Sequence, residues 1–190
     1  MSGTNALFER AKSAALEVSL HNARSSTHGL PRTSAYGYPE PYTRDLMLSS
    51  LGFLVSGNVE LIDAHRRTLL ALAKNQTRRG LVPGLANDPG DLGSSDTTPL
   101  FLIGLALYRR VSGERDFLDD AAARALEWID HQSPDDGALV AQMPTSDWRD
   151  EQWVEGYGLY VNTLVFMARR LFRRHRAADT MRELIDRRVV

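Results

Sequence analysis

The amino-acid sequence predicts an all-α fold of the α/α toroid type, with about three helical hairpins and one further helix at the N-terminus. Segments that are apolar on every side alternate with segments that carry only one apolar stripe. This pattern is typical of buried helices that alternate with half-exposed ones. Three aspartates, Asp45, Asp96 and Asp147, also recur at a constant spacing of 51 residues, which is typical of a repeated helical hairpin.

The first elements are predicted from the period of their apolar residues. Residues 5–22 carry one apolar stripe and predict an outer helix that uses Leu7, Ala11, Ala14, Ala15 and Val18. Residues 43–55, with the sequence TRDLMLSSLGFLV, are apolar around the whole circumference and predict a buried inner helix. Residues 59–74 are apolar on one side only, so an outer helix is expected there.

The remaining segments repeat this alternation, with inner helices over 100–111 and 159–172 and outer helices over 117–129 and 177–187. Gly57 and Gly113 end the first two inner helices, as glycine commonly does just past a helix. Short connections between such helices predict two concentric layers, which cover about half of a six-hairpin ring at roughly 50 residues per hairpin. An open half ring predicts self-association, a missing partner segment or partner chain on its apolar flanks, or a truncated chain.

The composition limits the class of protein. A chain of 190 residues with 43% apolar side chains suits a single domain over residues 1–190. The net charge of −1 argues against a nucleic-acid binder. The longest apolar runs are too short to cross a membrane, and residues 1–12 lack a signal-peptide pattern. The absence of cysteine fits a reducing, cytoplasmic location and excludes a disulfide framework.

Two charged clusters are interpreted as features of helix ends. Arginines are concentrated near the end of the chain, at Arg169, Arg170, Arg173, Arg174, Arg176, Arg187 and Arg188. The favoured interpretation is a solvated helix face, because cations are stabilised near helix C-termini. Asp116, Asp119 and Asp120 lie in the first turn of a predicted outer helix, where the dipole favours acids. No metal site and no cofactor are therefore expected.

The loops that lead into the inner helices are predicted to lie together at one end of the fold, because the inner helices run parallel. These loops are long and combine carboxylates with aromatic side chains over residues 35–45, 86–96 and 141–158. Aromatic rings stack on sugar rings while carboxylates accept from hydroxyls, so this composition favours a saccharide site. A simpler alternative is that Asp96 and Thr43 only cap their helices.

The segment TSDWRDEQW, residues 145–153, is the strongest candidate for chemistry. Glycoside hydrolysis requires a protonated carboxylic acid beside the leaving oxygen. Indoles and a second carboxylate around a carboxyl raise its pKa, which makes Asp150 and Asp147 the candidate acids. An inverting reaction also needs a base about 6.5–9.5 Å away, and the sequence does not identify one.

Three stretches resemble known proteins: PYTRDLMLSSLGFLVSGNVELIDAHRRTLLALAKNQTRRGLVP, SSDTTPLFLIGLALYRRVSGERDFL and DWRDEQWVEGYGLYVNTLVFMARRLF. They are similar to the hairpins of six-hairpin glycosidases, especially glycogen debranching (amylo-α-1,6-glucosidase) enzymes and neutral invertases. The resemblance implies that Asp150 is the general acid and that Arg44, Asp45 and Asp96 line the sugar subsite. Tyr160 stands where the family usually has a glutamate, and the family's general base lies in later hairpins.

The expected function is therefore an inverting glycoside hydrolase that acts on α-glucosidic bonds of oligo- or polysaccharides. Asp150 and Asp147 are its catalytic candidates, and the residues expected to bind the saccharide are Tyr42, Arg44, Asp45, Asp96, Trp148, Trp153 and Tyr157. One alternative is a carbohydrate-binding or self-associating half toroid without the base. Another is a helical scaffold in which the aspartates only cap helices.

Overall fold

The computed structural model describes residues 2–24, 28–135 and 137–188, and within them the chain forms helices and no strand. The helices are α1 (Ser2–Arg24), α2 (Thr43–Ser56), α3 (Val59–Asn75), α4 (Thr97–Ser112), α5 (Asp119–Asp130), α6 (Leu159–Leu171) and α7 (His175–Arg188). The prediction of an all-α fold is confirmed. None of the helices in the described part is both long and apolar enough to cross a membrane.

Most predicted helices are found within a few residues of their expected bounds, with one clear difference at α4. This helix begins at Thr97 rather than at residue 100 and includes Pro99 in its first turn. Proline is tolerated there because the first N–H groups of a helix have no intrahelical partner. Gly57 and Gly113 follow α2 and α4 with φ of 66° and 80°, as predicted for glycines that end helices.

Helix α4 is the centre of the fold. It packs between α2 and α6, and α3 and α5 pack against it from the outside. Phe101, Leu102 and Leu105 of this helix are fully buried. Gly104 allows the close approach of its neighbours, because a Cβ atom at this position would lie 2.8 Å from Met47 Sδ and 3.2 Å from His65. The helices thus form a row of three, α2–α4–α6, that α3, α5 and α7 cover.

The flank of α2 that faces away from α4 is exposed, contrary to the prediction of a helix buried on all sides. Leu48, Leu51 and Val55 all lie at the surface, and Val55 is 90% exposed. The other sides of α2 pack mainly on α3 and α4. The apolar circumference of this helix therefore exceeds what the described part of the chain can bury.

Helix α1 uses a different face from the one predicted. Leu7 and Val18, expected in its buried stripe, are exposed, and Leu7 is 66% exposed. The contact with α3 instead uses the C-terminal half of α1, where Leu16, Leu20 and Ala23 pack in a small cluster with Phe53, Leu61 and Ala64. The predicted stripe was wrong because α1 packs through Leu16, Leu20 and Ala23, which lie on another face than Leu7 and Val18, while residues 5–15 are exposed.

His65 is a buried histidine in the contact between α3 and α4. Its Nε2–H donates to the Gly104 carbonyl at 3.2 Å, and its ring meets that of Tyr108 edge-on. Burial lowers the pKa of His65 from 6.5 to about 4, although the hydrogen bond to Gly104 opposes this shift. Between these two pH values the unfolded chain binds a proton that the folded chain does not bind.

We therefore expect the free energy of unfolding to fall by about 3 kcal/mol as the pH is lowered from about 6.5 to about 4. The variant His65→Gln keeps a donor for Gly104 and should lose this part of the pH dependence. Urea unfolding at several pH values measures it. The exposed His131→Gln variant is the control and should retain the slope; an unchanged slope in His65→Gln would contradict the assignment.

Candidate functional site

The N-terminal ends of α2, α4 and α6 meet around one buried carboxylate. Arg44 in the first turn of α2 donates from Nε to Asp96 Oδ2 at 2.6 Å and from Nη2 to Asp96 Oδ1 at 3.3 Å. Tyr160 in the first turn of α6 donates its hydroxyl to Asp96 Oδ2 at 3.2 Å. Asp96 itself directly precedes α4 and is fully buried. The three inner helices therefore present their N-terminal ends at one rim, as the sequence predicts.

The protonation of this cluster is set by burial and by its own contacts. Burial raises the pKa of Asp96, while the Arg44 guanidinium and the Tyr160 hydroxyl act to lower it. Burial and the neighbouring Asp96 charge raise the pKa of Tyr160, so its phenol stays a hydrogen-bond donor. A fully buried carboxylate is stable only when it is paired and hydrogen-bonded, and these two donors fill that need.

The alternative that Asp96 and Thr43 only cap their helices is wrong. The Asp96 side chain makes no capping hydrogen bond to α4, and its oxygens accept from Arg44 and Tyr160 instead. The Thr43 hydroxyl donates to the Pro83 carbonyl at 2.7 Å. Thr43 N–H also donates to the Gly84 carbonyl at 2.8 Å, so this residue ties the start of α2 to the loop before α4.

A cleft of about 200 Å³ opens on the solvent side of this cluster. Four of the predicted site residues line it, namely Tyr42, Arg44, Asp45 and Asp150. Asp150 is 65% exposed, and Arg44 Nη1 lies 3.3 Å from its Oδ1 atom. Arg44 thus joins the buried Asp96 to the exposed Asp150. The cleft combines carboxylates, one guanidinium and one tyrosine, which suits a small ligand rich in hydroxyl groups.

Asp91 also lines the cleft, although sequence reasoning does not single it out. Its Oδ2 atom accepts a hydrogen bond from the Leu85 N–H at 2.9 Å. A Cβ atom added at Gly84 would lie only 2.7 Å from the same oxygen. The carboxylate therefore shapes the loop that forms one wall. The signal in the sequence is the Pro-Gly-Asp turn of residues 89–91, since aspartates in turns commonly accept from nearby backbone N–H groups.

Asp147 has a structural position at the base of the loop over residues 142–156. Gln142 and Gly156 close this loop through paired backbone hydrogen bonds of 2.9 and 3.2 Å. Inside it, buried Asp147 accepts from Gln142 Nε2 at 2.9 Å, from Arg149 N at 2.8 Å and from Arg149 Nη2 at 2.6 Å. Asp147 does not line the cleft.

The expectation of a raised pKa is wrong for Asp147. Burial acts to raise it, but the hydrogen bonds from Arg149 and Gln142 outweigh burial and lower the pKa of Asp147 to about 2. A general acid must carry a proton near the working pH. Asp147 is therefore an ionised anchor of the loop, which leaves Asp150 as the one of the two candidate acids that reaches the cleft.

The three aromatic residues predicted in the third loop lie outside the cleft. Trp148 and Trp153 are 59% and 77% exposed and do not line it. Tyr157 packs against the core, and its hydroxyl forms a hydrogen bond with Asp135. Of the predicted aromatic residues, only Tyr42 borders the cleft, where Tyr38 meets it edge-on with 6.2 Å between ring centroids.

The constant spacing of the three aspartates does not mark equivalent positions. Asp45 is the third residue of α2 and is exposed, whereas Asp96 directly precedes α4 and is buried. Asp147 lies well before α6 and within its own loop. The three aspartates therefore occupy different positions relative to the helices α2, α4 and α6.

Asn162 fixes the loop that crosses from α5 towards α6. This fully buried side chain accepts from the Val140 N–H at 2.8 Å and donates to the Val140 carbonyl at 2.9 Å. It also donates to the Gly158 carbonyl at 3.0 Å. The amide group is needed because it supplies a donor and an acceptor at once.

The described residues contain no group of three or more histidine, aspartate or glutamate side chains placed to hold a metal ion. Comparison of the chain with models of known protein families gives no match, and no curated protein matches it either.

Asp45 and Asp96 differ sharply in burial, so their substitutions should differ in their effect on the free energy of unfolding. Asp96→Ala leaves Arg44 and Tyr160 without their shared acceptor, so we expect a loss of about 3 kcal/mol in the free energy of unfolding. Asp45→Ala changes an exposed residue and should cost less than about 0.5 kcal/mol. Chemical denaturation of both variants measures this, and equal losses would contradict the buried cluster.

Proposed function

We propose that this chain is a glycoside hydrolase of the six-hairpin, α/α toroid type, which acts on α-glucosidic bonds of oligo- or polysaccharides with inversion. One observation carries the proposal. The side chains of Tyr42, Arg44 and Asp45 at the start of α2 and of Asp150 in the loop over residues 142–156 border a single cleft, although they are far apart in the sequence. The row α2–α4–α6 with its covering helices supports the toroid part of the proposal.

The chemistry of the cleft agrees with saccharide recognition. Sugar hydroxyls both donate and accept, so they need carboxylate acceptors and a guanidinium donor close together. Asp45 and Asp91 supply acceptors, and Arg44 supplies N–H donors. The volume of about 200 Å³ is below the range of about 300–1,000 Å³ typical of sites for drug-sized ligands. The cleft therefore suits one sugar ring rather than a long chain.

Asp150 is the proposed general acid. It is exposed enough to reach a glycosidic oxygen above the cleft, and the buried pair of Asp96 and Arg44 stands directly behind it. The proposed binding residues are Tyr42, Arg44 and Asp45 at the cleft, with Asp96 holding Arg44 in place. Trp148 and Trp153 are proposed only as outer contacts for a longer saccharide, because they lie exposed outside the cleft.

A binding module without catalysis is the second candidate, and one contact favours it. Arg44 Nη1 donates to Asp150, so the carboxylate is engaged as a hydrogen-bond acceptor. The cleft lining includes no carboxylate beyond Asp45, Asp91 and Asp150 in the described residues. Among the described residues, Asp45 and Asp91 are therefore the candidates for the base of an inverting reaction.

Catalysis by Asp150 is tested with Asp150→Asn, which keeps the size of the side chain and removes its acid. We expect glucose release from maltose and isomaltose to fall by about 10²–10⁴-fold, with β-anomeric glucose as the first product of the unmodified chain by NMR. Glu151→Gln, an exposed neighbour outside the cleft, is the control and should stay active. Activity retained in Asp150→Asn would remove this residue from the mechanism.

Calorimetry with the same sugars separates the two candidate functions. Saturable binding with no glucose release by the unmodified chain supports the binding module, and loss of that binding in Asp45→Asn places it in the cleft. Asp88→Asn is the matched control, because Asp88 is an exposed acid of the neighbouring loop that does not line the cleft. If neither binding nor turnover is found, both candidate functions are wrong.

The proposed ring would bury the exposed flank of α2. Two half rings of three hairpins make one ring of six, so we propose that a second copy of this chain covers Leu48, Leu51 and Val55. Light scattering should then give about twice the mass of 21.2 kDa. Leu51→Asp should return the chain to a monomer, whereas Glu60→Gln on α3 should leave the dimer intact. A monomeric unmodified chain at high concentration would contradict this proposal.

A further inference from the structure

Two cavities lie at the end of the inner helices opposite the rim cleft. One, of about 730 Å³, lies between the end of α6 and the start of α7. The other, of about 660 Å³, lies beside it, where α4 and α6 end. Arg173 lines both, and it follows α6 with φ of 61°, a left-handed conformation that non-glycine residues rarely adopt. The larger cavity is called the α6–α7 cavity here.

The wall of the α6–α7 cavity carries positive charge that the described residues do not neutralise. Among the described residues, Asp130 is the one carboxylate that lines it. Asp130 is paired with Arg169 at 2.8 Å, and Arg169 is buried with a second bond to the Ala138 carbonyl. Arg173, Arg174 and Arg176 also line the cavity. Within the described residues, none of these three side chains forms an ion pair or a hydrogen bond.

The position of Arg176 is unfavourable in the field of α7. Arg174 directly precedes this helix, and Arg176 lies in its first turn, which holds no acidic residue. The N-terminal end of a helix carries about half a positive charge, so cations there are repelled. The interpretation of the C-terminal arginines as residues stabilised by helix C-termini is therefore wrong for Arg176, whereas it stays a prediction for Arg173 and Arg174, which directly follow the C-terminal end of α6. A bound anion would relieve the repulsion.

The chemistry of the wall selects phosphate among anions. Guanidinium groups match phosphate oxygens with two parallel N–H bonds, and the first N–H groups of α7 are free of intrahelical partners, as at any helix start. One phosphate carries a charge of about −1.5 to −2, which is smaller in magnitude than the combined positive charge of the three unpaired arginines. A diphosphate matches them better. The lining also includes Ala177, Thr180 and Leu184, which could contact the organic part of such a diphosphate.

From these observations we propose that the α6–α7 cavity binds an organic diphosphate, such as a nucleoside diphosphate, with Arg173, Arg174 and Arg176 as its phosphate ligands. The cavity volume lies within the range of about 300–1,000 Å³ typical of small-molecule sites. A nucleic acid is a poorer match, because it needs an extended basic surface and the whole chain carries a net charge of −1. The proposal is independent of the function of the rim cleft.

Calorimetry with ADP and with inorganic diphosphate tests the site in the full chain. We expect saturable binding of one ADP per chain, and a loss of affinity of at least about tenfold in the double variant Arg174→Gln/Arg176→Gln. The matched control is Arg78→Gln/Arg79→Gln, which removes the same charge from an exposed turn that does not line the cavity and should bind ADP normally. Circular dichroism confirms that both variants fold.

Three outcomes would overturn the proposal. The first is the absence of saturable binding of either probe at low ionic strength. The second is an equal loss of affinity in both double variants, which would reduce the effect to overall charge. The third is displacement of ADP by a dT oligonucleotide at a lower concentration than by inorganic diphosphate, which would assign the basic wall to nucleic acid.

Arg176→Glu adds a readout that a purely structural role would not give. An acid in the first turn of α7 is favoured by the dipole, so the melting temperature of the free variant should rise above that of the unmodified chain. The same change should abolish the further rise that ADP produces in the unmodified chain. A lower melting temperature of the free variant would contradict the repulsion on which the proposal rests.

Discussion

The buried carboxylate of Asp96 is the constraint on which the arrangement of this protein depends. It accepts hydrogen bonds from Arg44 at the start of α2 and from Tyr160 at the start of α6, and it stands itself at the start of α4. Removing a carboxylate from water is favourable only when such partners are held in place. One side chain therefore sets the relative positions of three helix ends, and the cleft forms where they meet.

The fold was predictable from the sequence to the extent that burial follows from periodicity. The central helix α4 is apolar on all sides and is buried on all sides, because neighbours pack around it. The same pattern gave a wrong prediction of full burial for α2, because Leu48, Leu51 and Val55 have no covering neighbour in the described part of the chain. Apolar residues record the surface that must be covered, and they do not identify what covers it.

The site was predictable in part for a similar reason. The three loops converge as expected, and Tyr42, Arg44, Asp45 and Asp150 meet at the cleft. The role of Asp147 could not be deduced, because the direction of its pKa shift depends on donors from Gln142 and Arg149 that only the closed loop brings together. Chain spacing placed the acids near one another, but hydrogen bonds decided which of them face solvent.

The loop over residues 142–156 has a consequence for affinity. Its ends are paired through Gln142 and Gly156, and its interior is fixed by the contacts of Asp147 with Arg149. Asp150 follows this anchor directly, so its backbone is ordered before any ligand arrives. The entropic cost of ordering the loop is therefore met during folding and not during ligand binding. This preorganisation increases the affinity of the cleft for its ligand without any additional contact.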